Sequence, residues 1–243
     1  MYYKDRTEAG RKLAAELQAY KTKNTVVIAL SESSVLVAEQ IATELHARLL
    51  LYMIRNIALP GEERAIAAIS STGAFRYNDM LSSGEISDIS SEFRNFIDQE
   101  KFGKIHELNI LMGNEGEIDK NMLRHHHVIL VADALSDGFS LAMVYEYLKT
   151  VATKRIVVAV PVVGVDAIDR MHLVADELHV GGVTENFLSV DHYFDENNKP
   201  DFEDVMEIIG NLNQSWKPDT DRASARAHHF GHSRSQVLKR KYT

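Results

Sequence analysis

The sequence predicts an α/β fold: a twisted parallel sheet with helices on both faces. Three observations carry that expectation. "TVVIAL" (25–30) is a short β-branched run, "VLVAEQIATELHA" (35–47) keeps the helical period, and "RLLLYMI" (48–54) is a second apolar run. Strand, helix and strand in close succession form a βαβ unit, whose strands pair in parallel through a right-handed crossover. Further along, "VILVAD" (128–133) and "RIVVAV" (155–160) flank the helical stretch "SLAMVYEYLKTVA" (140–152). Runs without alternating polar positions belong to strands buried on both faces.

The remaining elements follow in order. "DRTEAGRKLAAELQAY" (5–20) reads as a helix: Asp5 with Glu8 resembles a capping box, and Leu13, Ala14, Leu17 and Tyr20 form an apolar stripe. "AIAAIS" (65–70) is a further strand candidate, and Glu62 with Glu63 ahead of it reads as a helix start. "SSTGAFRYND" (70–79) and "LMGNEGEIDKN" (111–121) read as loops. Between them Ile86, Ile89, Phe93, Phe96 and Ile97 mark an amphipathic helix. "DELHVGG" (176–182) holds a strand end, and "FEDVMEIIGNL" (202–212) a last amphipathic helix.

A chain of 243 residues suffices for one large α/β domain. It has no cysteine, which excludes disulfides, thiolate metal sites and cysteine nucleophiles. No apolar run approaches the roughly 18 residues needed to span a bilayer, and the N-terminus has no apolar signal core, so a cytoplasmic protein is expected. The net charge of −8 is uneven: residues 217–243 carry +5, leaving −13 for residues 1–216. An acidic body does not suit a general nucleic-acid binder. Two units are therefore expected: a folded domain over 1–216 and a basic, flexible tail over 217–243, suited to a protein or RNA partner.

Four stretches together resemble the type I phosphoribosyltransferases, especially a bacterial branch of that family. They are "DRTEAGRKLAAEL", "VVIALSESSVLVAEQIA", "IRNIALPGEERAIAAI" and "VILVADALSDGFS". The later "IVVAVPVVG", "ADELHV" and "FLSVDHYF" match as well, so the likeness covers most of residues 5–210. It implies a Rossmann-like sheet, the type I phosphoribosyltransferase fold, with a small hood drawn from 71–124 and 183–212. It further implies binding of phosphoribosyl pyrophosphate (PRPP) with Mg2+, transfer of ribose 5-phosphate to a nucleobase-like acceptor, and a homodimer.

Residue by residue, the likeness implies a rebuilt PRPP site. In the family the signature strand ends in two acids that hold the ribose hydroxyls; here Ala132 and Asp133 stand there, leaving Asp133 as the candidate catalytic carboxylate. The turn that wraps the 5′-phosphate corresponds to Ala134, Leu135, Ser136, Asp137, Gly138, Phe139 and Ser140. Gly138 and Ser140 are kept, Ala134 replaces a glycine, and Asp137 replaces a threonine. Like charges at 4 Å repel by on the order of 4 kcal/mol at an effective dielectric of ~20, so Asp137 opposes a dianion. The same carboxylate suits a helix N-terminus, and the expectation is that Asp137 caps it from within the phosphate site.

The other half of the site changes in the same direction. Where the family carries Arg-Gly-Gly after its first strand, this chain has Glu32, Ser33 and Ser34. After the second strand Arg55 is kept and Asn56 replaces a lysine. The resulting expectation is a family protein with a diverged PRPP site, weakly active or inactive, that binds or regulates. The alternatives are an active Mg2+-dependent transferase using Asp133, Gly138, Ser140 and Arg55, and an adaptor working through its tail. "HHH" (125–127) is not read as a metal site, because consecutive strand side chains point to opposite faces.

Overall fold

The runs at 25–30 and 128–133 become two adjacent interior strands of a five-stranded parallel sheet, the second of them its central strand. The computed structural model describes residues 2–62, 64–112 and 118–215; Glu63 and the tail 217–243 lie outside that set. In chain order the strands are β1 (Thr25–Ala29), β2 (Arg48–Leu51), β3 (Ile54–Ala58), β4 (Ala65–Ser70), β5 (Phe75–Tyr77), β6 (His127–Val131), β7 (Arg155–Gly164) and β8 (Glu177–Thr184). The helices are α1 (Arg6–Glu16), α2 (Val35–Leu45), α3 (Ser83–Glu92), α4 (Arg94–Met112), α5 (Phe139–Leu148), α6 (Val165–Val174) and α7 (Phe202–Ser215). The main sheet runs β2-β1-β6-β7-β8, parallel throughout; β3-β4-β5 form a separate antiparallel sheet.

Every residue of β1 and β6 is buried, which is why neither strand shows an alternating pattern. Val27, Ala29, Ile129 and Val131 face one layer, with α1, α2 and α7. Val26, Ile28, Val128 and Leu130 face the other, with α5 and α6. Each such side chain contributes roughly 1.5–3 kcal/mol on burial, so the centre of the sheet anchors the domain.

Several local expectations are corrected. The apolar run 48–54 breaks in two: β2 ends at Leu51, and Ile54 opens β3 in the other sheet. The stretch 70–79, expected as a loop, contains β5. No helix starts at Glu62, whose amide donates to Leu59 O (3.0 Å) in a turn. The single helix expected around Ile86–Ile97 is two, and α4 continues to Met112. Helix α6 went unread because Gly164 ends β7 and caps α6 with no polar loop between.

The small sheet packs one face on α3 and α4 through Ile57, Ala67 and Ile97. Its Ala68 and Ile54 meet Phe139 and Met143 of α5. Of the segment 183–212, α7 lies instead against α2 and β2 of the main layer. Among the described residues no helix is long and apolar enough to cross a membrane.

The strand order places the site. From β1 the chain crosses to one side, to β2, and from β6 to the other, to β7. Ligands of open α/β sheets bind where the connections diverge, at the carboxyl ends of the strands. Here that crevice is bordered by residues 30–34 after β1 and 132–138 after β6.

Two helical glycines give a test of packing. A Cβ on Gly10 would lie 2.6 Å from Val37 O of α2, whereas one on Gly103 would meet nothing. Gly10→Ala should therefore cost about 1–3 kcal/mol through overpacking, and Gly103→Ala should gain up to about 1 kcal/mol of helix propensity. Urea denaturation of the two variants reads both signs.

Candidate functional site

Asp133 follows β6, and its side chain is almost wholly inside the protein. It is 4% exposed and accepts from Arg6 Nε at 2.8 Å. Arg6, the first residue of α1, is only 1% exposed. Its guanidinium also donates to Asp191 Oδ1 (2.7 Å) and Asn197 Oδ1 (3.2 Å), and lies 4.5 Å from the centre of the Phe194 ring. Asp191 is held in turn by Lys199 Nζ at 2.7 Å. Burial opposes ionisation of Asp191, but Lys199 and Arg6 outweigh it and hold its carboxyl below the ordinary range. The strand-end acid is thus one corner of an ionic cluster, buried at Arg6 and Asp133 and open to solvent at Asp191 and Lys199, that joins the N-terminal helix, the crevice and the segment 191–199.

The turn after Asp133 is stitched to the neighbouring strand. Leu135 N donates to Val162 O (3.0 Å) and Gly164 N to Leu135 O (2.7 Å). The approach is close enough that a Cβ on Gly164 would sit 2.6 Å from Ser136 O. Gly138 turns the chain into α5 with φ +72°, the left-handed region that glycine adopts without strain. Gly138 therefore holds the N-cap position expected for Asp137. The Asp137 carboxylate still serves the helix start, accepting from Phe139 N at 2.9 Å. Its carbonyl accepts from Arg170 Nη1 at 2.8 Å, and Arg170 also pairs with Asp79 beyond β5. Ala134 and Phe139 are buried, Ser136 is exposed, and Ser140 is half-buried in the first turn of α5.

The loop after β1 spends its donors on itself. Ser31 N donates to Ser34 Oγ (2.9 Å), Ser34 N to Ser31 Oγ (3.1 Å), and Ser34 Oγ to Ser31 O (2.8 Å). Ser33 Oγ lies 3.3 Å from Ser31 Oγ. Glu32 receives Arg55 in a two-pronged pair, at 2.6 Å to Oε1 and 3.3 Å to Oε2. Arg55 Nε donates to Glu107 of α4 at 2.8 Å. Burial disfavours the Arg55 charge, yet these carboxylates raise its pKa above the ordinary value. Arg55 and Glu32, both expected at the site, are thus brought together as an ion pair.

A family model described as the phosphoribosyl transferase domain matches residues 2–181. The chain belongs to the phosphoribosyl transferase family. Rv0571c and MT0597, from two strains of Mycobacterium tuberculosis and provisionally named phosphoribosyl transferases, are each 26% identical to it over 181 residues. The alignment covers 72% of this chain and 39% of theirs, so the chain spans about two fifths of the length of these curated relatives. The crystal structure of TT1426 from Thermus thermophilus superposes with a TM-score of 0.66 at 24% identity, over 90% of this chain and 100% of that one. That likeness establishes a shared fold.

Within this phosphoribosyl transferase fold, the crevice brings together Asp133, the 134–140 turn, Glu32, Ser33, Ser34 and Arg55, with Arg55 arriving from the small sheet. Three carboxylates border it, and each is committed to a protein donor: Asp133 to Arg6, Asp137 to Phe139 N, and Glu32 to Arg55. Asp133 and Asp137 each use one carboxylate oxygen in these bonds, so the other oxygen of each would be the one to hold a magnesium ion whose remaining ligands are phosphate and water. Among the described residues no group of three or more histidines, aspartates or glutamates converges on a metal site.

Sequence reasoning missed Arg6, Asp191, Arg170 and Glu107. For Arg6 a signal existed: the buried stripe of α1, Leu13/Ala14 and Ala9/Gly10, lands on Arg6 when extended one turn back. An arginine on an apolar stripe demands a buried acid elsewhere. For Arg170 and Glu107 no periodicity points to a partner.

The histidine run divides by geometry. His125 takes φ +60°, and His127 opens β6, buried, with its ring 5.5 Å from and edge-on to Tyr20. Among the described residues its Nδ1 has no hydrogen-bond partner. Burial, with Lys23, Lys154 and Arg155, depresses its pKa below 6.5.

Two outcomes follow. Truncating either partner of the buried pair should be severe: Arg6→Ala or Asp133→Ala should each cost roughly 3–5 kcal/mol, with the double variant well short of additive. A loss under about 1 kcal/mol in denaturant melts refutes the clamp. For His127 the unfolded state binds its proton at higher pH than the fold does. Its contribution is therefore complete above pH ~6.5 and lost as pH falls toward the folded pKa. Melting temperatures at pH 7 and 5 should show a drop that His127→Phe reduces.

Proposed function

We propose that this phosphoribosyl transferase family member has lost efficient ribosyl transfer and acts by binding, as a regulatory rather than a synthetic protein. The carrying observation is the Glu32–Arg55 pair. A polyanion entering the crevice would have to displace Glu32 from Arg55 while approaching the Asp137 carboxylate. Asp133, the position matching a ribose-hydroxyl acceptor, is tied to Arg6 within the protein. The amides of Ser31 and Ser34 and the Ser34 hydroxyl are likewise engaged. The charged groups that would meet PRPP, Arg55, Glu32 and Asp133, already have intramolecular partners, so binding through them forfeits one interaction for each gained.

One observation favours the second reading, an active Mg2+-dependent transferase: the turn keeps Gly138 in the left-handed conformation and the start of α5 open to a phosphate. In that reading Asp133 and Arg55 exchange their protein partners for ligand, and the acceptor is a nucleobase-like nucleophile.

The two readings separate in one titration. A ligand selective for the fold stabilises it by RT ln(1 + [L]/Kd), so millimolar PRPP with Mg2+ should leave the melting temperature unchanged if the crevice is closed to it. A clear rise followed by pyrophosphate release establishes the transferase. The combined Glu32→Ala and Asp137→Thr variant, which frees one side of Arg55 and removes the acid from the turn, should bind PRPP at least tenfold more tightly than the parent chain.

A further inference from the structure

A second cleft, of about 590 Å³, lies between β5 and the helices α3 and α4. None of its lining residues belongs to the loops 30–34 or 132–140. Strand alternation creates it. Phe75 and Tyr77 project to the α3–α4 side, while Arg76 between them turns the other way, to Glu146 of α5 at 3.1 Å. The two rings meet edge to face, with centroids 5.2 Å apart. Opposite them α4 presents Arg94, Asp98 and Lys101, and α3 presents Ser87.

The charges of this wall are unspent. The ion pairs that α4 makes are Arg55–Glu107 and Lys104–Glu100. Among the described residues Arg94, Asp98 and Lys101 are left without one. Lys101 Nζ instead stands 4.8 Å from the centre of the Phe75 ring. Two cations against one carboxylate leave a net positive wall facing an aromatic one.

That combination restricts the ligand. An apolar ligand would desolvate three charges without partners. A lone oxyanion would leave the aromatic wall unused. It could not readily serve both cations either, since Arg94 and Lys101 are two helical turns apart, about 10 Å along the axis. A planar ring joined to a phosphate has the reach and the chemistry to meet both walls.

We propose that this cleft binds a small phosphorylated aromatic ligand, a nucleoside monophosphate in class. Phe75, Tyr77 and Lys101 meet the ring, Arg94 holds the phosphate, and Asp98 accepts a hydroxyl or ring N–H. The site is independent of the crevice, and the acidic body of the chain selects a small ligand over a nucleic acid.

Calorimetric titration of the full chain with AMP, GMP, CMP and UMP, each beside its unphosphorylated nucleoside, tests the assignment. At least one monophosphate should bind saturably and more tightly than its nucleoside. Arg94→Ser should weaken it at least tenfold and abolish its advantage over the nucleoside, while Lys101→Ser should weaken both. Arg94 is exposed and Lys101 half-buried, and unchanged melting curves confirm that the variants fold. Arg55→Ala should leave binding intact. The inference is overturned if none of the four binds at millimolar concentration, if Arg94→Ser has no effect, or if Arg55→Ala removes the binding, which would place the ligand in the crevice.

Discussion

A guanidinium with 1% exposure cannot stand inside a protein without carboxylates around it, and Arg6 sets that condition for the whole strand-end region. It binds Asp133 from the central strand, Asp191 from the segment after β8, and Asn197 six residues further on. The helix, the strand end and the 191–199 segment are far apart in sequence. The network therefore fixes how the N-terminal helix sits on the main sheet and how the 191–199 segment returns to it. Phe194, stacked beneath the cation, and Tyr3, packed with it in the same cluster, exclude water from the junction. In this member of the phosphoribosyl transferase family, the strand-end acid is part of the protein's own support.

The crevice as a whole follows the same logic of internal compensation. An anion site needs cations and amide donors whose partners are water or ligand. Here Arg55 bridges Glu32 of the main layer and Glu107 of α4, and Arg170 bridges the Asp137 carbonyl and Asp79. Each arginine links the small sheet and its helices to one side of the crevice. The cationic groups serve as struts between layers, which rigidifies the two loops while lowering their appetite for a polyanion. Of the two acids that read as repelling phosphate, Glu32 takes part in a strut through its carboxylate, whereas the Asp137 carboxylate accepts from Phe139 N.

How much of this was legible follows from the kinds of pattern involved. The strands β1, β6 and β7 and the helix α2 were readable because burial on both faces, or a continuous stripe, leaves a mark within a few residues. Strand β5 was not: three half-buried residues at the edge of a small sheet, set among Gly, Ser and Asn, carry the chemistry of a turn. Helix α6 was hidden by the junction at Gly164, where strand passes to helix without a polar break. In the crevice, the loops after β1 and β6 stand where the runs at 25–30 and 128–133 end, and the charges of Glu32 and Asp137 were visible in the sequence. The pairing of Glu32 with Arg55 was not, since 23 residues and a change of sheet separate them. Arg6 was within reach, being the continuation of a stripe already noted.

The phosphate-type turn survives here although its chemistry has changed, and the reason lies in packing. Gly164 lets the backbone of Ser136 approach to a distance that a side chain would forbid, and the Leu135–Val163 bridge extends the main sheet into the turn. Gly138 sits against the side chains of Arg170 and Ala167, so its left-handed conformation is held by α6. These constraints come from the sheet and its helices, and none requires a bound phosphate. The turn's shape is therefore set by packing and does not depend on which side chains serve as its donors. Shape at the strand ends thus comes from the sheet and its helices, and the charge there from the partners of Asp133, Glu32 and Arg55.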